Sequence, residues 1–460
     1  MLSRGIVRSL STMTRSPPRN PLIAVIGATG TGKSQQLAVE LAKRYNGEIV
    51  NGDAMQLYAG LPIITNKITA EEQQGIPHHL LGCIGLHEQT WVVGTFVQHA
   101  LKVIEEIRSR GRLPILVGGT HYYTQSLLFH DRLAEGDKDR EQREFVLDTS
   151  EKWPVLKEST EVLLEELKKV DPVMADRWHP NDRRKIQRSL EIYLQTGKRA
   201  SDIYAEQRAR KAEVAETEKN EARMRFPALL FWVHAENDTL RERLDKRVDK
   251  MLASGLLDEV QTLNAFSNEQ AENHTPADDG KGIWVSIGYK EFREYARELR
   301  TGTMDDCELA KLKAAALEAT KASTRQYAKR QIRWIRVKLV NALAEGQASE
   351  SLYLLDGSDV KRFDEAVVKP AVRITGQFLG AEDMPAPSSL SAVAAEQLQP
   401  KREDLAAAPE AWGKEYCAVC DVTSVTPAQR KAHMESKSHK KRVSQARQAE
   451  ALKEASHGDE

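Results

Sequence analysis

An α/β fold with a parallel sheet, interrupted by a helical insertion and followed by a small C-terminal module, is what this sequence predicts. Three observations carry that expectation. Short apolar runs alternate with amphipathic stretches. One run feeds directly into a glycine-rich loop. A charged, strand-poor stretch separates two parts of the alternating pattern. With 460 residues the chain exceeds one ordinary domain. Lys+Arg and Asp+Glu both number 67, so overall charge points to no class of partner. No apolar run reaches the roughly 18 residues needed to span a membrane. Four cysteines rule out a disulfide-stapled scaffold.

The first element is a leader. Residues 1–20 carry Arg4, Arg8, Arg15 and Arg19, and no acid precedes Glu40. That is the composition of a mitochondrial targeting segment. Starts at Met1 and Met13 are expected to give a mitochondrial form and a cytoplasmic or nuclear one. Pro21–Ile26 is a buried strand and Gln35–Tyr45 a helix. Ile49-Val50 is a second strand, 97–110 an amphipathic helix and 113–117 a third strand. Residues 21–125 and 226–345 are expected to form the core, with 126–225 a helical insertion. Leu229–Val233 returns as a strand, Thr239–Phe266 as one long helix, and 306–345 is helical. Residues 346–411 read as a connecting segment that becomes an Ala/Pro/Ser/Gln-rich linker from about 384. A module at 412–445 and a tail at 446–460 close the chain.

Gly27-Ala28-Thr29-Gly30-Thr31-Gly32-Lys33-Ser34 fits the phosphate-loop pattern, after a strand and before a helix. Backbone N–H groups, the helix N-terminus and Lys33 would hold a diphosphate, and Ser34 can ligate Mg²⁺. The strand at 113–117 ends in Gly118-Gly119-Thr120, without the acid expected of an ATPase. The only other apolar run ending in Asp is Leu352–Asp356, far downstream. Asp53 comes just after the second strand. In a parallel sheet that places it near the phosphate loop, where it reads either as a general base or as a turn former. Gln56 could reach a base edge. Arg243 and Arg247 share one side of a helix whose apolar stripe is Leu240, Leu244, Val248 and Met251.

Residues 321–338 carry seven Lys/Arg and no acid, with Tyr327 and Trp334 interleaved. Arg325, Lys329, Arg333 and Arg336 share a helical face. Arg183, Arg184, Lys185 and Arg188 form a second basic cluster. Both suit RNA. Cys417, Cys420, His433 and His439 have zinc-finger spacing and imply a structural Zn²⁺. The spacing resembles matrin-type fingers.

Seven blocks in one order resemble the tRNA dimethylallyltransferases: GATGTGKS at 27–34, DAMQLY at 53–58, GGTHYY at 118–123 and HPNDRRKIQRSLEIYLQTGK at 179–198. The others are RLDKRVDKMLASGLLDEV at 243–260, IGYKEF at 287–292 and TRQYAKRQIRWIR at 324–336. The resemblance spans roughly 21–345. Ala54 stands where the family usually has Ser. The resemblance implies transfer of a dimethylallyl group from its diphosphate to the exocyclic N6 amine of the adenosine 3′-adjacent to the anticodon. It implies a catalytic set of Asp53, Thr31, Lys33 and Arg247. It further implies tRNA contacts from Asp53, Ala54, Met55, Gln56, Thr120, Arg183, Gln187, Arg188, Arg325, Lys329, Arg330 and Gln331. A monomer without a membrane segment is expected. Alternatives from other classes are a phosphate-loop kinase of a nucleoside or small molecule, and a zinc-finger RNA-binding protein with a degenerate loop.

Overall fold

The structure, a computed structural model, describes residues 16–130, 153–206, 209, 224–272, 280–401 and 414–457. Most of the expected targeting segment, much of the linker after 401 and the last three residues lie outside the described residues. Two compact units divide the chain, one of residues 1–133 with 220–401 and one of 134–219 with 402–460.

The first unit is built on a six-stranded sheet, parallel throughout, in the order β3-β2-β4-β1-β5-β6. Its strands are β1 (Leu22–Gly27), β2 (Gly47–Asn51), β3 (His78–His79), β4 (Leu113–Gly118), β5 (Ala228–His234) and β6 (Leu352–Asp356). Side chains alternate across a strand, so β1 feeds two cores. Leu22, Ala24 and Ile26 enter one with Phe96 and Ile104 of helix α2 (Val93–Ser109). Ile23 and Val25 enter the other with Leu37 and Leu41, the latter from helix α1 (Val39–Arg44). Both faces are covered, which is why these strands read as unbroken apolar runs.

Three further helices frame the carboxyl edge. Helix α3 (His121–Leu128) follows β4, helix α4 (Asn237–Ala253) follows β5, and α5 (Leu256–Glu272) follows α4. The single helix expected over 239–266 is therefore two. Gly255, at φ +105°, turns the chain where an L side chain would be strained. The long helix α6 (Asp306–Trp334) runs on through a wider turn, Ile335–Leu339.

Residues 346–383, expected as a connecting segment, join the sheet and its cover, and 384–401, expected as linker, are folded as well. β6 pairs with β5 from Leu230↔Leu352 to His234↔Asp356 and extends the sheet. Helix α7 (Lys369–Gly380) buries Ala371 and Ile374 in the second core. The Ala- and Pro-rich part is folded too. Pro387 is buried, Pro385 accepts a hydrogen bond from the Tyr353 hydroxyl (2.8 Å), and Ala394 is fully buried against the first core. Small side chains here permit close packing.

In the second unit, helices Thr160–Val170, Pro172–Arg177 and Arg183–Thr196 bury Leu163, Leu167, Met174, Ile186 and Leu190. Asp171, fully buried, caps the second of these through Met174 N (3.2 Å) and also accepts from Ser201 N (2.9 Å). The remainder is the Cys/His module, whose hairpin pairs Glu415–Cys417 with Val422–Ser424.

At the amino end of the strands, remote from the phosphate loop, Glu48 is 3% exposed. It accepts from Arg110 Nη2 (2.7 Å), Arg112 Nη1 (3.0 Å) and His79 Nε2 (2.5 Å). Burial alone would raise its pKa. The hydrogen bonds from Arg110 and His79, and their charges, outweigh burial and hold it below the usual carboxylate range. Its stabilisation is present above that range and is lost as pH falls through the depressed value. Glu48→Gln is expected to destabilise the fold by about 1–3 kcal/mol. Urea denaturation at neutral pH checks this, with a lower midpoint and an unchanged slope expected.

Candidate functional site

The site is assembled at the carboxyl edge of β1, β2 and β4, where ligands of open α/β sheets lie. Gly27 leaves β1 and the loop turns through Gly30 (φ +85°) and Gly32 (φ +81°) into the helical turn at Lys33. Thr31 is buried and donates its hydroxyl to Ala28 O (2.9 Å), so this residue braces the loop. Lys33 Nζ lies 3.4 Å from the same carbonyl.

Asn51, the last residue of β2, fixes the turn that carries Asp53. Its Oδ1 accepts from Asp53 N (3.0 Å), while its Nδ2 donates to Asp53 O (3.0 Å) and Leu80 O (2.8 Å). Asp53 Oδ1 in turn accepts from Met55 N (3.0 Å). Burial raises the Asp53 pKa above the ordinary carboxylate value. The Lys33 charge, the N–H groups of Met55 and Gln56, and the Arg247 charge act in the opposite sense. The cations respond reciprocally. Burial lowers Lys33 to about 8 against the pull of Asp53, and lowers Arg247 to about 10. The niche therefore holds one carboxylate and two cations, all stripped of much of their water.

The two arginines of α4 part company. Arg247 Nη1 donates to Thr29 Oγ1 of the phosphate loop (2.6 Å). Arg243 Nη2 donates to Ser358 O beyond β6 (2.6 Å). Asp356, the acid at the end of β6, accepts from Ser358 N (3.0 Å) and Oγ (2.5 Å) and shapes that turn.

β4 closes the third side. A Cβ on Gly118 would meet the Gly52 backbone at 2.3 Å, and one on Gly119 would meet Gln331 Nε2 at 2.4 Å and Asp53 Oδ2 at 3.2 Å. The paired glycines let β4 end against both. Thr120 Oγ1 accepts from Ala54 N (3.0 Å), and Tyr327 of α6 hydrogen-bonds Thr120 and Gln331. His121 is buried beside Lys33. Burial, then the Lys33 charge, pushes its pKa down to about 3, so its ring is neutral.

Six of the expected RNA contacts are engaged within the protein. Gln331 is 4% exposed, accepts from Thr29 N (2.8 Å) and donates to Gly119 O (2.8 Å). Arg325 pairs with Asp245 (2.6 Å), and Lys321 beside it with Asp249 (2.7 Å). Lys329 and Arg330 remain exposed on α6. Gln56 Nε2 donates to Asn66 O (2.9 Å). In the second unit, Arg183 donates to Glu158 O (2.5 Å) and Leu156 O (3.0 Å). There Gln187 (2.9 Å) and Arg188 (3.4 Å) both address Glu191. Sequence spacing missed Asn51 and the role of Gln331. The only signal for Asn51 was an amide at a strand end before Gly-Asp.

The Cys/His module brings its four residues together. Their ligand atoms all lie within 4.8 Å of one another, with Cys420 Sγ 3.4 Å from His439 Nδ1. His433 Nε2 is buried without a hydrogen-bond partner. Two thiols and two imidazoles so placed can hold a metal ion.

A phosphate loop with a carboxylate and an arginine beside it is an arrangement suited to group transfer from a phosphate-bearing donor. Residues 56–338 match the sequence model of the family described as IPP transferase. The tRNA dimethylallyltransferase of Schizosaccharomyces pombe is 41% identical, over 80% of this chain and 81% of that one. That of Saccharomyces cerevisiae is 35% identical over 91% of each. A solved eukaryotic dimethylallyltransferase acting on tRNA superposes with a TM-score of 0.69 at 32% identity, covering 94% of this chain and 99% of its own. The chain belongs to the IPP transferase family.

Gln331→Leu removes both of the hydrogen bonds that Gln331 makes to the site loops. It is expected to weaken inorganic diphosphate binding about tenfold, the effect of losing about 1.4 kcal/mol of hydrogen bonding. Calorimetric titration checks this. Unchanged affinity in a folded variant would contradict the bracing role.

Proposed function

We propose that this protein is a tRNA dimethylallyltransferase, which moves a dimethylallyl group from dimethylallyl diphosphate to the N6 amine of the adenosine 3′-adjacent to the anticodon. The observation that carries the reading is the Asp53 carboxylate set beside a phosphate loop with two partly dehydrated cations. Relatives of that name, alike over most of their length, support it.

The chemistry suits these groups. The N6 lone pair is delocalised into adenine, so the amine is a weak nucleophile. As the N6–C1 bond forms and the C1–O bond to the diphosphate breaks, the nitrogen becomes acidic. Asp53 accepts that proton as general base, and its raised pKa favours the transfer. The diphosphate departs with the C–O electron pair. Lys33, Arg247 and the loop N–H groups stabilise the growing charge. Ser34, in the first turn after the loop, is the residue that would hold a Mg²⁺ accompanying the diphosphate, which would share in that neutralisation. The acceptor base must leave its stack to reach Asp53, at a cost of a few kcal/mol. The exposed cations of α6 suit the RNA backbone that has to be held meanwhile.

Asp53→Asn keeps size and hydrogen bonding but removes the base. Single-turnover transfer at saturating substrates is expected to fall by about 10²–10⁴-fold, with RNA affinity nearly unchanged. Lys33→Ala is expected to weaken the diphosphate substrate as well. In the native enzyme, kcat/KM for that substrate should decline above pH about 8, where free Lys33 loses its proton. Near-normal turnover by Asp53→Asn would move the base elsewhere.

The metal that fits the Cys/His cluster is Zn²⁺, held by Cys417, Cys420, His433 and His439. Their type and spacing support this, and so does the short hairpin, too small for a core of its own. Metal analysis of the purified full chain is expected to find one zinc. Chelation should make residues 414–457 newly protease-sensitive, and a resistant module in excess chelator would contradict the assignment.

A further inference from the structure

A second polar oxygen stands beside the Asp53 carboxylate. Asp53 Oδ1 accepts from Met55 N and Thr120 Oγ1 from Ala54 N, each at 3.0 Å. Ala54 is helical (φ −61°, ψ −34°), so these consecutive amides point the same way and hold the two oxygens side by side. Behind Thr120 runs a chain of hydrogen bonds with a fixed direction. Gln331 Oε1 accepts from Thr29 N (2.8 Å), so Nε2 is the donor, with one hydrogen on Gly119 O (2.8 Å) and the other on Tyr327. Burial, then the Asp53 charge, raises the Tyr327 pKa, so the phenol keeps its proton. A phenol is the stronger acid and an aliphatic hydroxyl the better acceptor, so Tyr327 donates to Thr120 Oγ1. That oxygen then accepts twice, from Ala54 N and from Tyr327, and its own hydrogen can only be given away. Asp53, Thr120 and Tyr327 are half-buried, whereas Gln331 behind them is 4% exposed. The chain thus runs from the interior to an accessible edge.

We propose that the Thr120 hydroxyl, oriented by Tyr327, donates to a ring nitrogen of the acceptor adenine and so favours adenine over guanine. The proposal rests on the function given above. Adenine carries its N6 donor between two acceptors, N1 on the Watson–Crick edge and N7 on the Hoogsteen edge. A carboxylate beside a hydroxyl donor complements that pattern. Asp53 takes an N6 hydrogen, and Thr120 donates to the ring nitrogen next to it. Guanine puts O6, an acceptor, where N6 stands. That oxygen would face the Asp53 carboxylate, and a site built to hydrogen-bond its substrate rejects an analogue that leaves its polar groups unpaired. Thr120 touches the base. Tyr327 acts through Thr120 as a positioning residue, holding the hydrogen in place before the base arrives.

The experiment uses the full chain and synthetic anticodon stem-loops with adenosine, 1-deazaadenosine, 7-deazaadenosine or guanosine at the acceptor position. Each deaza analogue replaces one ring nitrogen by C–H and keeps the amine. For the wild type, one of the two should lower kcat/KM about tenfold, the effect of one lost hydrogen bond, and which one names the edge that is read. Thr120→Val should be about tenfold slower on adenosine, with no further loss on that analogue because the contact is already gone. It should also bind adenosine over guanosine with less preference than the wild type. Tyr327→Phe should fall between, with a smaller loss on the analogue than the wild type shows. The KM for dimethylallyl diphosphate should be unchanged in both variants. The same proportional loss on the analogue in wild type and Thr120→Val would overturn the contact. So would a wild type indifferent to both analogues, or a preference over guanosine that Thr120→Val leaves intact. Tyr327→Phe matching the wild type on every stem-loop would overturn the positioning role, and a raised KM for dimethylallyl diphosphate would replace it with a structural one. A wild type that transfers no dimethylallyl group, yet binds the adenosine stem-loop more tightly than the analogue, would contradict the proposed function and leave the adenine contact standing.

Discussion

Asp53, Lys33 and Arg247 share one partly dehydrated niche, and most of the first unit exists to keep them there. Burial pushes each group toward its neutral form: the carboxylate up, the lysine to about 8, the arginine to about 10. Their mutual attraction opposes that tendency. One negative and two positive groups leave a single surplus positive charge, which suits an anionic ligand. The same dehydration that strains the trio strengthens every interaction made inside it. A carboxyl group whose proton affinity burial has raised suits the proton removal proposed for Asp53.

Holding the trio together is a long-range problem. Thr29 is bonded to Arg247 across 218 positions and to Gln331 across 302, and Gln331 reaches Gly119 across 212. Lys33, Arg247 and Gln331 sit on helical turns, and Asp53 sits in a turn pinned by Asn51 at the end of β2, so hydrogen bonds limit their drift. Helix α6 then ties those ends to one another. It joins the phosphate loop through Gln331, the end of β4 through Gln331 and Tyr327, and α4 through Arg325 and Lys321. The basic helix is thus two-sided. One side braces the chemistry, and the other presents Lys329 and Arg330 to solvent.

Much of this was legible in the sequence, for local reasons. β1, β2, β4 and β5 are buried on both faces, so each is a compact apolar run with turn residues behind it. The phosphate loop carries its geometry in its glycines, and the four Cys/His residues carry theirs in their spacing. β6 is visible in the sequence as an apolar run, but nothing local assigns it to the core. More than a hundred residues separate it from β5, and pairing across such a gap leaves no periodic trace. The break between α4 and α5 is hidden because the apolar stripe of Leu240, Leu244 and Val248 continues at helical spacing into Leu256, Val260 and Leu263 across Gly255. Periodicity put Arg243 and Arg247 on one side of α4 but could not say that they serve different loops. Gln331 looked like part of a basic RNA-facing run, since charge patterns say nothing of which helical face is already occupied.

The most direct test is a crystal structure with an anticodon stem-loop and the unreactive thio analogue of dimethylallyl diphosphate. The Asp53 carboxylate is expected within hydrogen-bonding distance of the flipped-out N6 amine. The diphosphate is expected between Lys33, Arg247 and the loop N–H groups, with the C1 carbon facing that amine. A diphosphate bound outside residues 27–34, or an amine facing a group other than Asp53, would contradict the assignment of this niche as the reaction centre.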